Sequence, residues 1–404
     1  MLNFGWVAPH SDQWYPKLPK IESLNTKGVN RMIESPRVII NFGAGPAKLP
    51  KVVTQKLQQS LVDFNGSGVG IHEISHRSAN FAAIMASIED RTRQLIGREQ
   101  SERFSVLFMQ GGGTLQFSAV PMNLINDKAN DKLVYLVTGN WSRQAAQEAA
   151  CLGYNVESIE LNALAEVDWD QIRFDIHQHA PKIVYYCDNE TIDGIEMPSC
   201  AFIGHKLQID PAKTILVSDM SSNFMSRPVD LSKMGLIFAS AQKNIGPSGI
   251  AVVLIRKELL QSPQKNLPKM LDYHLFEKHG SLYNTPPTFA LHAVDLVLGW
   301  IIDEFVTLEA VDQFSKQKAI ALYDIIDRSP STMINKVPAE YRSRMNVIWQ
   351  FKEASKESKF LEQAIALGML QLRGHRSVGG LRASLYNAIT LEETRALADL
   401  LSKQ

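Results

Sequence analysis

The chain has 404 residues, long enough for more than one hydrophobic core, because single cores stop growing at about 250–300 residues. Its 42 basic and 42 acidic side chains cancel, so no bulk charge steers it onto nucleic acid or an anionic membrane, and 45% hydrophobic with 21% charged residues excludes disorder. Three cysteines, Cys151, Cys187 and Cys200, are too few and too irregularly spaced for a disulfide framework or a zinc knuckle, so a reducing, cytoplasmic setting without a structural metal is expected.

Residues 1–36 lack the basic stretch and apolar core of a secretory signal. Asp12, Glu22 and Glu34 interrupt their basic residues and Pro9, Pro16 and Pro19 break an amphipathic helix, which counts against an organelle transit peptide without closing that possibility. They are read as a poorly ordered N-terminal arm. From about residue 80, amphipathic stretches at 79–95, 114–124 and 142–152 alternate with β-branched or aromatic runs: FSVLFMQ at 104–110, KLVYLVTG at 132–139, KIVYYCD at 182–188, TILVSDM at 214–220 and LIFAS at 236–240. Buried strands joined by crossover helices, an α/β sandwich, follow from that pattern. The longest wholly apolar run, 250–255, is far short of the roughly 20 residues that span a bilayer. After Pro286-Pro287 the chain turns mostly helical through 290–328, then gives an alternating run at 345–351, a helix at 358–368 and a strand-like stretch at 382–388, an α+β second domain. No internal repeat or low-complexity segment is present.

Three segments carry chemistry. Gln110-Gly111-Gly112-Gly113-Thr114 follows a predicted strand and opens a predicted helix, where glycines let backbone N–H groups approach an anion. It has neither the lysine of a Walker loop nor the dinucleotide spacing, so a cofactor phosphate suits it better than ATP or NAD; taken alone, a tight strand-to-helix turn is the stronger reading. Asp219 ends a β-branched run, on the side of a sheet where ligands bind, although one such aspartate also serves as a helix cap. Lys243 lies just past another strand, in a segment rich in small residues and flanked by apolar runs, a setting that suits a lysine to Schiff-base chemistry. An imine lysine, an acid for a ring nitrogen and a phosphate cradle are the three things pyridoxal phosphate needs.

Beyond these, NFGAGPAKLP (41–50), SHRS (75–78), QGGGTLQFSAVPMN (110–123), TGNWS (138–142), DNETIDGIE (188–196), SDMSSNF (218–224), AQKNIGPSG (241–249), YNTPPTF (283–289), RSRMNV (342–347) and GHRSVGGLRASLYNA (374–388) resemble the phosphoserine aminotransferase family over about 37–404. The resemblance implies a fold-type-I pyridoxal-phosphate enzyme: a large domain, 53–299, with a mostly parallel seven-stranded sheet, and a smaller α+β domain from 37–52 and 300–404. It implies a homodimer with shared active sites, acting on small phosphorylated amino or oxo acids and glutamate. Lys243 is then the imine lysine and Asp219 the partner of the pyridine nitrogen. Trp141 stacks on the ring and Thr191 bonds its phenolic oxygen. Gly113, Thr114 and Gln242 meet the phosphate, with Asn284 and Thr285 from the neighbouring subunit. Arg382 takes the substrate carboxylate, while His76, Arg77, His375 and Arg376 serve the substrate phosphate across the interface. Read singly, each of these arginines is an ordinary surface ion-pair residue.

One departure is Thr114-Leu115, where some members carry a basic residue and a glycine; Thr114 caps the helix and brings no charge. A drifted pocket would make the chain a serine–glyoxylate or alanine-type transaminase, which Arg77, Arg376 and Arg382 together argue against. A cysteine desulfurase needs a mobile thiol, whereas Cys187 reads as a core residue. A catalytically silent interaction protein of this fold would have lost Lys243 or Asp219, and both are present.

Overall fold

The apolar runs become the strands of one sheet in the computed structural model, which describes residues 38–161, 164–261 and 266–404; the predicted arm at 1–36 lies outside the described residues. The strands are β1 (Phe104–Gln110), β2 (Lys132–Val137), β3 (Asn155–Glu160), β4 (Ile183–Cys187), β5 (Ile215–Asp219), β6 (Met234–Ser240) and β7 (Ile250–Arg256). Their spatial order is β1-β7-β6-β5-β4-β2-β3. Only β7 runs against its neighbours, antiparallel to both β1 and β6, while the remaining pairs are parallel.

Continuous apolar strands mean that both faces are covered. Along β7, Val252 and Leu254 enter one core, packed by α1 (Ala79–Ile96) and α4 (Thr288–Phe305), and Val253 and Ile255 enter another, packed by α2 (Gly112–Leu124) and α3 (Asn140–Cys151). Each of these fully buried side chains contributes roughly 1.5–3 kcal/mol. β3 was not legible in the sequence because it is an edge strand whose residues, Asn155–Glu160, are mostly exposed and polar. The predicted strand through residue 139 stops at Val137, because Thr138 and Gly139 turn their N–H groups to Ser142 Oγ at 3.0 and 3.2 Å.

A third core gathers around an antiparallel sheet of β8 (Met333–Ile334), β9 (Asn346–Phe351) and β10 (Leu381–Ser384), covered by α5 (Leu308–Arg328), α6 (Ala354–Ala366) and α7 (Leu391–Leu401). Ile40 and Phe42 belong to it, and Ile40–Asn41 pairs in parallel with Met369–Leu370. The strand expected over 382–388 ends at Ser384, since the buried Lys318 Nζ donates to the carbonyls of Leu385, Tyr386 and Ile389 at 2.8, 2.9 and 3.0 Å and bends the chain into a turn. Among the described residues no helix is long and apolar enough to cross a membrane.

Candidate active site

The carboxyl ends of β1, β2, β4, β5 and β6 lie along one edge of the sheet, where an α/β fold binds its ligands, and the segments carrying Gly111, Gly112 and Gly113, Trp141, Thr191, Asp219 and Lys243 leave the sheet there. Helix α2 starts at Gly112, with Gly111 in the left-handed region as its N-cap. Thr114 is therefore an exposed residue of the first turn and not the cap expected of it. The Gly113 N–H donates to Ser240 Oγ at 2.7 Å, and a Cβ on Gly113 would stand 2.9 Å from Ser221 Oγ. Glycine is needed because two strand ends bring hydroxyls against the helix start. The Gln242 side-chain oxygen is buried without a partner among the described residues. A helix N-terminus met by the hydroxyls of Ser221 and Ser240 has the chemistry of a phosphate cradle.

Asp219 is the last residue of β5 and 3% exposed. One carboxylate oxygen accepts from the Ser221 N–H at 2.8 Å, and the Tyr185 hydroxyl stands 3.5 Å from the other. Burial pushes this acid up to about 6, against the pull of Ser221 and of the Lys243 charge. Lys243, three residues past β6, donates from Nζ to the Ala44 carbonyl, with Nζ 5.9 Å from the centre of the Tyr386 ring. The Tyr386 hydroxyl donates to the same carbonyl at 3.0 Å. Gly45, at φ +134°, leaves the lysine room: a Cβ there would lie 2.7 Å from Nζ. Segment 44–47 and Tyr386 thus close over the strand ends.

Trp141 is half-buried in the first turn of α3, and Thr191 is buried in the turn after β4. Between them sits Glu190, fully buried, whose carboxylate accepts from the N–H groups of Trp141 (2.9 Å) and Ser142 (2.8 Å) and from Ser142 Oγ (2.6 Å). Burial pushes it up to about 7, opposed by those neutral donors. The Thr191 carbonyl accepts from Arg382 Nη1 at 3.3 Å, and Arg382 Nε is buried without a partner among the described residues. A cavity of about 370 Å³ lies against Arg382 and Asp193. His375 is close to this cluster: burial, then the charges of Arg382 and Arg376, hold it below its ordinary value, with Asp193 opposing.

The structure therefore brings together Lys243, Asp219, Gly113, Gln242, Trp141, Thr191 and Arg382, with His375 beside them. It does not bring every predicted residue in. Among the described residues His76 and Arg77 have no side-chain hydrogen bond, and Arg77 and Arg376 are exposed. Asn284 bonds Gln110 of its own chain at 2.9 Å, and Thr285 is exposed. Residues at the site that the sequence did not single out are Ala44, Glu190, Ser221, Ser240 and Tyr386. Glu190 alone left a signal, an acidic side chain directly after an apolar strand and beside Thr191.

The class-V aminotransferase family model matches residues 39–397. A phosphoserine aminotransferase of Drosophila melanogaster is 43% identical over 370 residues, 90% of this chain and 98% of that protein. Among solved structures, a phosphoserine aminotransferase from Bacillus circulans subsp. alkalophilus is similar at TM-score 0.80 and 36% identity, covering 90% of this chain and 97% of its own. A PLP-bound phosphoserine aminotransferase from Trichomonas vaginalis is similar at TM-score 0.78 and 35% identity, covering 91% and 100%. An alanine–glyoxylate aminotransferase from Nostoc sp., at 19% identity and TM-score 0.73, shares the fold alone. By sequence over nine-tenths of its length and by backbone over the same span, the chain belongs to the class-V aminotransferases and, within them, to the phosphoserine aminotransferase family.

Proposed function

We propose that the chain is a pyridoxal-phosphate-dependent phosphoserine aminotransferase of serine biosynthesis, converting 3-phosphohydroxypyruvate and glutamate into O-phosphoserine and 2-oxoglutarate. The observation that carries this reading is the convergence on one sheet edge of Lys243, a buried Asp219 with no ion pair among the described residues, and a hydroxyl-lined helix start. The residues fit the cofactor. A buried carboxylate hydrogen-bonded only by neutral donors, with the Lys243 charge nearby, is relieved by a protonated ring nitrogen, and the Gly113 N–H, Thr114, the Gln242 amide N–H group and the two serine hydroxyls would supply donors for a phosphate. When bound, pyridoxal phosphate supplies an electron sink for the electrons left on the substrate Cα.

The chain's own groups do the rest. Lys243 would hold the cofactor covalently through Nζ, and its free amine takes the proton from the substrate Cα. Asp219 keeps the ring nitrogen protonated. Trp141 stacks on the ring, and Thr191 donates to its phenolic oxygen. Arg382, with Nε unpartnered, is suited to grip the substrate carboxylate with paired hydrogen bonds. In this reading the protein is a cytoplasmic homodimer. His76, Arg77, His375 and Arg376 serve the substrate phosphate across the interface, and Asn284 and Thr285 reach the neighbour's cofactor. The exposure of Arg77, Arg376 and Thr285 within one chain supports that assignment. The proposed division into 53–299 and 37–52 with 300–404 rests on the third core, which joins Ile40 and Phe42 to residues between Ala319 and Leu401, whereas Ile301, Leu308, Val311, Val337 and Tyr341 pack in the first core and run against a boundary at 300.

Single-turnover spectra test the proposal. Phosphoserine and glutamate should each bleach the visible cofactor band while serine and alanine leave it. Equal response to alanine would refute the phosphate selectivity. Lys243→Ala should remove turnover and leave the circular dichroism of the fold unchanged; surviving transamination would refute the role of the lysine.

A further inference from the structure

Glu190 has no place in the chemistry above, yet it is fully buried and makes no ion pair among the described residues. Taking a carboxylate out of water is costly unless its lone pairs are filled. Here they are filled by the N–H groups of Trp141 and Ser142 and the Ser142 hydroxyl, two of them free donors of the first turn of α3. Three residues on, Asp193 takes the next N–H, that of Asn140, at 3.0 Å. The approach is so close that a Cβ on Gly139 would stand 2.4 Å from Asp193 Oδ2 and 2.7 Å from the Glu190 carboxyl carbon. Two segments nearly 50 residues apart are thus fastened at the residues that carry Trp141 and Thr191.

We propose that Glu190 is a positioning residue for the cofactor: its carboxylate fastens the start of the helix bearing Trp141 to the turn bearing Thr191, fixing the slot for the pyridine ring. The inference rests on the reading of the site given above. Trp141 has no side-chain hydrogen bond among the described residues, so its ring is oriented by its backbone and by packing against the core on that face. Thr191 follows Glu190 directly, and its carbonyl carries Arg382. Loosening the clamp therefore loosens three contacts to cofactor and substrate together. A glutamine in place of Glu190 keeps the volume, but its amide turns one acceptor into a donor that faces an N–H.

The test strips the full-length protein of cofactor and titrates it with pyridoxal phosphate, following the visible band, its induced circular dichroism and tryptophan quenching. Glu190→Gln should weaken cofactor binding about tenfold, the size of one helix-cap interaction, and change the induced dichroism. Glu196→Gln, an equally buried acid bound to Arg344, is the control, expected to lower thermal stability and leave cofactor affinity unchanged. If Glu190→Gln does not fold, Ser142→Ala removes the hydroxyl donor to Glu190, together with the acceptor of the Thr138 and Gly139 N–H groups, and should still weaken binding measurably. Unchanged affinity and dichroism in a folded Glu190→Gln, or in Ser142→Ala where that variant stands in, overturns the inference and leaves the functional reading intact. Failure of the unaltered protein to bind pyridoxal phosphate overturns both.

Discussion

Two buried acids six residues apart, on the two short antiparallel strands of the hairpin after β4, meet opposite fates. Glu196 would be raised by burial, yet Arg344 donates to it at 2.6 and 3.1 Å and Arg227 lies 3.8 Å away, and together they hold it at about 2. Glu190, and Asp219 on the neighbouring strand, meet no guanidinium among the described residues; burial pushes them to about 7 and about 6. The difference is in the partners, not in depth. An acid paired with arginine carries a settled charge and joins distant segments, here α5 through Asp312 as well. An acid met by neutral donors stays sensitive to whatever arrives beside it, which is the state a cofactor site needs. Asp188 lies between the classes: it shares Arg227 with Glu196, and burial leaves it raised.

The largest effect that would break this comparison is on Asp219. Asp219→Asn should lower turnover by roughly 10²–10⁴-fold without lowering the unfolding midpoint, because the amide has no charged form to desolvate. A clear loss of stability would move Asp219 into the arginine-paired class.

Next comes Glu196→Gln, which leaves Arg344 and Arg227 short of counter-charge and should cost about 3–5 kcal/mol in urea unfolding, with turnover per folded molecule unchanged. A cost below about 1 kcal/mol would show that the network behaves like a surface pair.

The smallest effect is in pH. Glu196 is depressed from 4.5 to about 2, so its contribution is present above the unfolded value and is lost as pH falls from there through about 2. Between those limits the Glu196→Gln variant should lose less stability than the parent. Glu190 runs the other way: its raised value makes ionisation cost stability as pH climbs from about 4.5 to about 7. Glu190→Gln should flatten that decline, and parallel curves for parent and variant would refute the assignment.

Much of this was legible beforehand, for local reasons. β1 matched its predicted run end to end, and β2, β4, β5 and β6 differed by one or two residues at a boundary, because a strand buried on both faces has to be apolar throughout. β3 was invisible because an edge strand obeys no such demand. Lys243 and Asp219 were legible because a charged residue at the end of an apolar run is conspicuous wherever it occurs.

The sequence by itself determined the alternation of strands and helices, the sheet edge on which the candidate site residues stand, and the chemistry those residue types can perform. Only the tertiary structure decided what faces them. Lys243 meets a carbonyl 199 residues away, Tyr386 reaches that carbonyl across 342, and the glycine run meets Ser240 across 127. Backbone carbonyls and N–H groups are the same at every position, so no residue type announces which of them packing will bring to a buried charge.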